Sequence, residues 1–203
     1  MRHWTYALLV LVGMGVAARA DALPITLTLV PSSASLMPGQ GLSVDVVVDG
    51  LFDAGEIALE SFDLDLAFDN TRLQFDALAF GSSLGDPNDG GETFLIGPGN
   101  PNVDSVVEMG EFSFLSAAQL LALQNAPFTL ASIEFTALDN PGAALLELIN
   151  LSGSSLGGVG GQALGNELAP SPLSVMIVPE PGVAALLLAA LVLLGQRARS
   201  ART

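Results

Sequence analysis

Two short segments of the sequence match the G-x-S-x-G pattern that surrounds many catalytic serines. They span Gly81–Gly85 and Gly153–Gly157, and each places a serine at the central position. Such a serine needs a strand–turn–helix to expose it and a histidine to accept its proton. The sequence has one histidine, His3, and no lysine that could replace it. We therefore predict Gly/Ser turns at both places and no catalytic residue.

Two carboxylates, Asp63 and Asp65, have the spacing of a pair on one face of a strand. At i and i+2 they stand about 7 Å apart, within the range in which two carboxylates can hydrolyse a glycosidic bond. A sugar-cleaving site also needs aromatic platforms, and the only Trp and Tyr are Trp4 and Tyr6. We predict that both aspartates lie on a solvated face and that the protein is not an enzyme.

An acidic segment between 86 and 92 is the candidate metal site. Asp86, Asn88, Asp89 and Glu92 supply four side-chain oxygen ligands in a loop that contains glycines. Calcium binds six to eight hard oxygens in loops of this kind. The spacing differs from that of an EF-hand and Pro87 lies within the loop, so a plain acidic turn is the alternative.

The composition limits the remaining chemistry. The chain has 203 residues, enough for one domain or at most two. It contains six basic residues, all Arg, and 21 acidic ones, which give a formal net charge of −15. It therefore lacks the basic surface that binds nucleic-acid phosphates. Cysteine is absent, which excludes disulfides, thiol nucleophiles and cysteine metal sites. We predict no cofactor other than the candidate calcium.

Alternating apolar and polar residues predict the elements that position these groups. The clearest case runs from Phe62 to Asp69 and predicts that Phe62, Leu64, Leu66 and Phe68 face a core while Asp63 and Asp65 face solvent. Turn residues separate the strands, and many short strands predict an all-β sandwich. The other predicted strands cover Ile25–Leu29, Val44–Val48, Leu73–Ala77, Val106–Leu115, Phe128–Leu138 and Ala144–Leu151.

One short helix is predicted from Ser116 to Gln124. Ser116 and Gln119 fit a capping box, and Pro127 ends the helix because proline cannot continue it. Two stretches rich in Gly and other turn residues, 81–101 and 153–165, are predicted to be long loops. The ten phenylalanines suit a core of this size and need no other role.

Both ends of the chain resemble targeting signals. Arg2 and His3 precede an apolar run from Trp4 to Ala17, and small residues follow at Ala18 and Ala20. This order predicts a signal peptide over residues 1–20, with cleavage after Ala20 or, nearly as well, after Ala22. The mature segment 21–178 would then hold one base against 20 acids, a formal charge of −19.

The C-terminal end, residues 178–203, carries a three-part pattern. Pro179-Glu180-Pro181 comes first, then an apolar stretch from Val183 to Leu194, then three arginines at 197, 199 and 202. The apolar stretch with its basic end predicts a short transmembrane helix with the arginines in the cytoplasm. In this order the pattern resembles the PEP-CTERM sorting signal. That resemblance implies processing near Pro179, Glu180 and Pro181 by an exosortase-type membrane protease, with the helix either removed or retained as an anchor.

The middle of the chain resembles a cohesin module. The resemblance rests on Ser61–Gly85, a strand, an Asp-Asn turn and a second strand, followed by Phe112–Leu138, a strand, a short helix and a strand ending in Phe-Thr-Ala. It implies a cohesin-like or jelly-roll β-sandwich over residues 21–177, related in fold to carbohydrate-binding modules. Cohesins bind dockerin modules through one sheet face, which implies a dockerin-like partner.

Together these features predict a secreted, non-enzymatic protein of the cell envelope or outer surface. We expect it to act in adhesion or scaffolding within a surface or exopolysaccharide matrix. A carbohydrate-binding module, which would bind exopolysaccharide directly, is the alternative.

Overall fold

The computed structural model describes residues 25–51, 57–151, 155–164, 170–179 and 182 of the chain. They form a mostly-β sandwich of two sheets with two short helices. The elements in chain order are β1 (Thr26–Pro31), β2 (Ser35–Leu36), β3 (Gly41–Asp49), β4 (Leu59–Phe68), β5 (Leu73–Phe80), β6 (Thr93–Ile96), α1 (Pro101–Asp104), β7 (Val106–Ser113), α2 (Ala117–Leu123), β8 (Phe128–Ala137), β9 (Gly142–Ile149), β10 (Leu156–Gly158), β11 (Gln162–Ala163) and β12 (Leu173–Ile177).

The smaller sheet contains four antiparallel strands in the order β1-β3-β8-β5. Its register places Val46 opposite Leu29 on one side and Ala131 on the other. The inward residues of β3 are one leucine and three valines, all fully buried. Exposed or half-buried residues alternate with them, as the period of a strand requires.

The larger sheet is organised around β4. Strand β7 pairs along one side of β4, and the edge strand β6 pairs with β7. On the other side, β10 pairs with the first half of β4 and β9 with the second half. β12 follows β9, and β2 adds to β12 as a parallel strand. The four inward residues predicted from the alternation, Phe62 to Phe68, are all buried, so the predicted register is confirmed.

Helix α2 closes one end of the sandwich, where the sequence predicted a helix. Gln119 Oε1 accepts a hydrogen bond from the Ser116 N–H at 3.0 Å, within the predicted capping box. Gln124, just past the helix, is buried and clamps β4: its Oε1 accepts from Leu59 N–H at 2.7 Å and its Nε2 donates to Leu59 O at 2.8 Å. The packing of α2 thus fixes the start of the central strand.

Three predictions of local structure were wrong. The stretch 81–101 is not one loop, because it contains β6, and 153–165 contains β10 and β11. A second helix, the four-residue α1, follows β6. These elements are too short for their sequence pattern to show above the surrounding Gly and Pro. They form because a neighbouring strand supplies their hydrogen bonds or, for α1, because Pro101 starts the turn.

The predicted signal peptide, the Glu180 and Pro181 positions and the C-terminal apolar helix lie outside the described residues. Within the described ranges, no helix has the length and apolar character needed to cross a bilayer.

Candidate functional site

The first G-x-S-x-G segment forms a turn against the smaller sheet. Gly81 N–H donates to Leu130 O at 2.8 Å, and a Cβ at Gly81 would lie only 2.0 Å from Thr129 O. Glycine is therefore required here by close backbone approach. Bends rather than a helix follow Ser83. In the second segment, Leu156 and Gly157 belong to strand β10, and Ser155 directly precedes it. Residues 153 and 154 lie outside the described residues.

The candidate calcium ligands lie in an exposed loop between β5 and β6. Asp86 Oδ1 accepts from the Asn88 N–H at 2.9 Å, and Asp89 Oδ1 accepts from the Gly91 N–H at 2.8 Å. Glu92 Oε2 accepts from the Asp86 N–H at 2.9 Å. Each carboxylate thus binds a backbone N–H of its own loop. No group of three or more acidic, His or Cys side chains is arranged to hold a metal ion in the described ranges, and the calcium site stays a prediction.

The aspartates of β4 lie on the outward face of the larger sheet, as predicted. Asp63 is exposed and Asp65 is half-buried. Asp65 Oδ2 accepts from Asn150 Nδ2 at 3.0 Å. Glu108 on β7 lies directly opposite Asp65 in the register, so two like charges meet on one face. Such a pair lowers stability rather than raising it.

Beside these acids, the outward face ends in a cluster of exposed apolar side chains. Phe94 and Ile96 lie on β6, and Phe112 lies opposite Phe94 on β7. The rings of Phe112 and Phe114 stand 5.5 Å apart, edge to face. The side chains are 58%, 51%, 42% and 57% exposed for Phe94, Ile96, Phe112 and Phe114 respectively. We call these four residues the aromatic edge.

The prediction that all phenylalanines serve the core was wrong for three of the nine in the described residues. Along β7, Val107 and Met109 face inward, so residues 111 and 113 must also face inward and Phe112 outward. The apolar residues thus change from odd to even positions within one strand. That change of parity was visible in the sequence and was the signal that could have revealed an outward-facing aromatic pair.

The same register places the carboxylate of Glu111 in the protein interior. Glu111 faces inward from β7 with 2% of its surface exposed. Neither of its carboxylate oxygens has a hydrogen-bond partner. Burial raises the pKa of Glu111 to about 7, because a charged carboxylate loses its hydration there. Glu111 was not among the predicted site residues.

Comparison with known proteins identifies the fold. Neither the protein-family models nor the curated protein sequences give a match. Among solved structures, the chain is similar to a type I cohesin in a cohesin–dockerin complex from Clostridium thermocellum, at 13% identity and a TM-score of 0.56, covering 75% of this chain and 99% of that chain. The described chain therefore has the fold of cohesin modules.

Two further structures show the same fold. A type II cohesin domain from the cellulosome of Acetivibrio cellulolyticus has 12% identity and a TM-score of 0.56, covering 76% of this chain and 98% of that one. A cohesin module from a Clostridium perfringens family 33 glycoside hydrolase has 15% identity and a TM-score of 0.55, covering 77% and 98%. The predicted cohesin-like sandwich is confirmed as a fold.

Proposed function

We propose that this protein is a non-enzymatic binding module that engages a dockerin-like protein partner through its aromatic edge. The observation that carries the proposal is the exposure of three phenylalanines: Phe94 on β6, Phe112 on β7 and Phe114 directly after β7. Aromatic side chains are enriched at the centres of protein–protein interfaces, where their burial supplies most of the binding energy. A cohesin of the same fold has been solved in complex with a dockerin.

The shape of the surface favours a protein over a small molecule. The aromatic edge is a face of a sheet, whereas small ligands bind in concave pockets. Two cavities in the described part, of about 380 and 250 Å³, lie elsewhere, beside β1 and beside the start of β8. Neither contains a residue of the aromatic edge.

The carbohydrate-binding alternative receives less support from the ring geometry. A sugar ring stacks on a flat aromatic platform, but the planes of Phe112 and Phe114 are inclined at 64° to each other. The two rings therefore do not form one flat platform on which a glycan could stack.

The biological setting of the proposal comes from the ends of the chain. A signal peptide over 1–20 and a PEP-CTERM-like tail over 178–203 would carry the module across the inner membrane to the envelope or outer surface. There an exosortase-type protease would process the tail near Pro179-Glu180-Pro181. Adhesion or scaffolding within an exopolysaccharide matrix is the role that this placement supports. The excess of acids keeps such a surface protein soluble.

The test is a binding screen with the full chain. We expect at least one module from a panel of type I and type II dockerins to bind, and the double variant Phe94→Ser/Phe112→Ser to weaken that binding at least thirtyfold. The matched control is Leu145→Ser/Met176→Ser, which removes two apolar side chains of similar exposure on β9 and β12 of the same sheet. Equal losses in both variants would contradict the assignment, and binding only to a glycan array would establish the alternative.

A further inference from the structure

Glu111 is the one ionisable side chain that the described part of the chain buries almost completely. It lies on the inward face of β7, opposite Phe62 of β4 on one side and Leu95 of β6 on the other. A buried carboxylate without partners strongly favours its neutral form, because an isolated charge in an apolar interior is costly.

No charged group on the surrounding elements compensates Glu111. The inward faces of β4 and β6 offer only Phe62, Leu64, Thr93 and Leu95 near it, and helix α2 contains no charged residue. Across the sandwich, β5 contributes the ring of Phe80, 6.2 Å from that of Phe62.

The remaining charged groups near this end are engaged elsewhere. Asp86, Asp89 and Glu92 of the neighbouring loop accept hydrogen bonds from their own backbone. Asp76 of β5 faces outward and accepts from Thr136 Oγ1. Arg72, the one base in the described ranges, is bonded to Asp69 at the end of β4. Burial alone therefore governs the ionisation of Glu111.

The strand beside Glu111 on the side away from β4 is β6, which lies at an edge of the larger sheet. β6 has four residues and, within the described chain, pairs only with β7. The central β4 has partners along both sides. Moving β6 away from β7 breaks a single strand pairing and lets water reach the carboxylate from that edge. Local openings of this kind occur first where few contacts hold an element.

We propose that Glu111 is a pH gate for the aromatic edge: its neutral form favours the state in which β6 is closed on β7, and its ionisation shifts the equilibrium towards opening of β6. Opening separates Phe94 and Ile96 from Phe112, since β6 carries the first two and β7 the third. The inference rests on the proposed function for its biological meaning, because the surface that the gate dismantles is the proposed binding surface. Partner binding is then strongest in mildly acidic conditions.

The pKa values set the size of the effect. With a pKa of about 7 when closed and the usual 4.5 when hydrated, the opening constant rises about tenfold per pH unit between these values and levels off above 7. Between pH 5.5 and 8.5 the open population therefore increases about thirtyfold.

Hydrogen exchange of the full chain tests the gate without any partner. After correction for intrinsic exchange, amides of 93–96 and 106–113 should lose about thirtyfold in protection from pH 5.5 to 8.5, while those of β3 and β8 should not. Glu111→Gln and Glu111→Met should abolish the loss. Glu108→Gln, the matched control on the outward face of the same strand, should keep it. A loss that persists in both Glu111 variants, or no loss in the unmodified chain, would overturn the proposal.

Binding provides the second arm. For a dockerin module found in the screen above, affinity should fall between pH 5.5 and 8.5 by the same factor as the closed fraction that hydrogen exchange measures. It should stay level in Glu111→Gln after correction for the pH response of the dockerin itself. An equal fall in both proteins would refute the link between the gate and binding. If no dockerin binds at any pH, the proposed function fails, while the exchange experiment still decides the gate.

Discussion

The outward faces of the two sheets differ in their exposed side chains: one carries hydrogen-bonded polar groups and the other carries apolar groups. On the smaller sheet, Ser132 Oγ donates to Asp45 Oδ1 at 2.5 Å and Thr136 Oγ1 donates to Asp76 Oδ2 at 2.6 Å. The polar side chains of this face thus bond to one another. The outward face of the larger sheet instead ends in the aromatic edge, which has no such partners. One sandwich thus carries a surface suited to solvent and a surface suited to a partner, although both sheets bury similar apolar residues inside.

The largest expected effect is a difference in stability loss between replacing an inward-facing and an outward-facing phenylalanine. Phe135 on β8 is fully buried and packs on Phe68, with ring centroids 5.0 Å apart. We expect Phe135→Ala to lower the free energy of unfolding by about 3–5 kcal/mol. Phe112→Ala on the aromatic edge should change it by less than about 1 kcal/mol. Urea denaturation of both variants measures the difference, and comparable losses would mean that the aromatic edge is structural.

The second effect concerns pH and belongs to the larger sheet alone. Because the pKa of Glu111 is raised when folded, its neutral form stabilises the fold below about pH 4.5, and this contribution is lost progressively as pH rises to about 7. The complete loss is about 3 kcal/mol. The difference in unfolding free energy between Glu111→Gln and the unmodified chain should therefore grow across that window and stay constant above it. If the difference in unfolding free energy did not depend on pH, the ionisation of Glu111 would not be the cause of the pH dependence.

The third effect concerns the loop beside the aromatic edge. If calcium binds at Asp86, Asn88, Asp89 and Glu92, thermal melts with calcium and with chelator should differ by several degrees, since a ligand of the folded state stabilises it by mass action. Asp89→Ala should remove the calcium-specific part. Sodium at matched ionic strength should give a smaller shift by screening; equal shifts would leave the loop as a plain acidic turn.

The smallest effect should come from the smaller sheet. Ser132→Ala removes one side-chain hydrogen bond to Asp45, which is worth about 1 kcal/mol or less on a part-exposed surface. It should leave dockerin binding unchanged, because this face lies on the other side of the sandwich. A loss of binding equal to that of Phe94→Ser/Phe112→Ser would reverse our assignment of the two faces.

Long alternating segments were predictable because their period is local information. The run Phe62–Phe68 had its inward and outward residues assigned correctly, and the capping box at Ser116 located α2. Short elements were not predictable, since β6, β10 and β11 depend on a neighbouring strand for their hydrogen bonds. The candidate site could not be predicted for the same reason: Phe94 and Phe112 meet only through the pairing of β6 with β7.

The sequence by itself determined the class of the domain. Period-two alternation and turn residues specify a β-sandwich, because both patterns depend only on residue types and their spacing. The tertiary structure decided that Phe94 and Phe112 lie side by side and that the carboxylate of Glu111 is buried without a hydrogen-bond partner. A strand has only two faces, and the pairing register of β7 with β4 selects which of them meets the core.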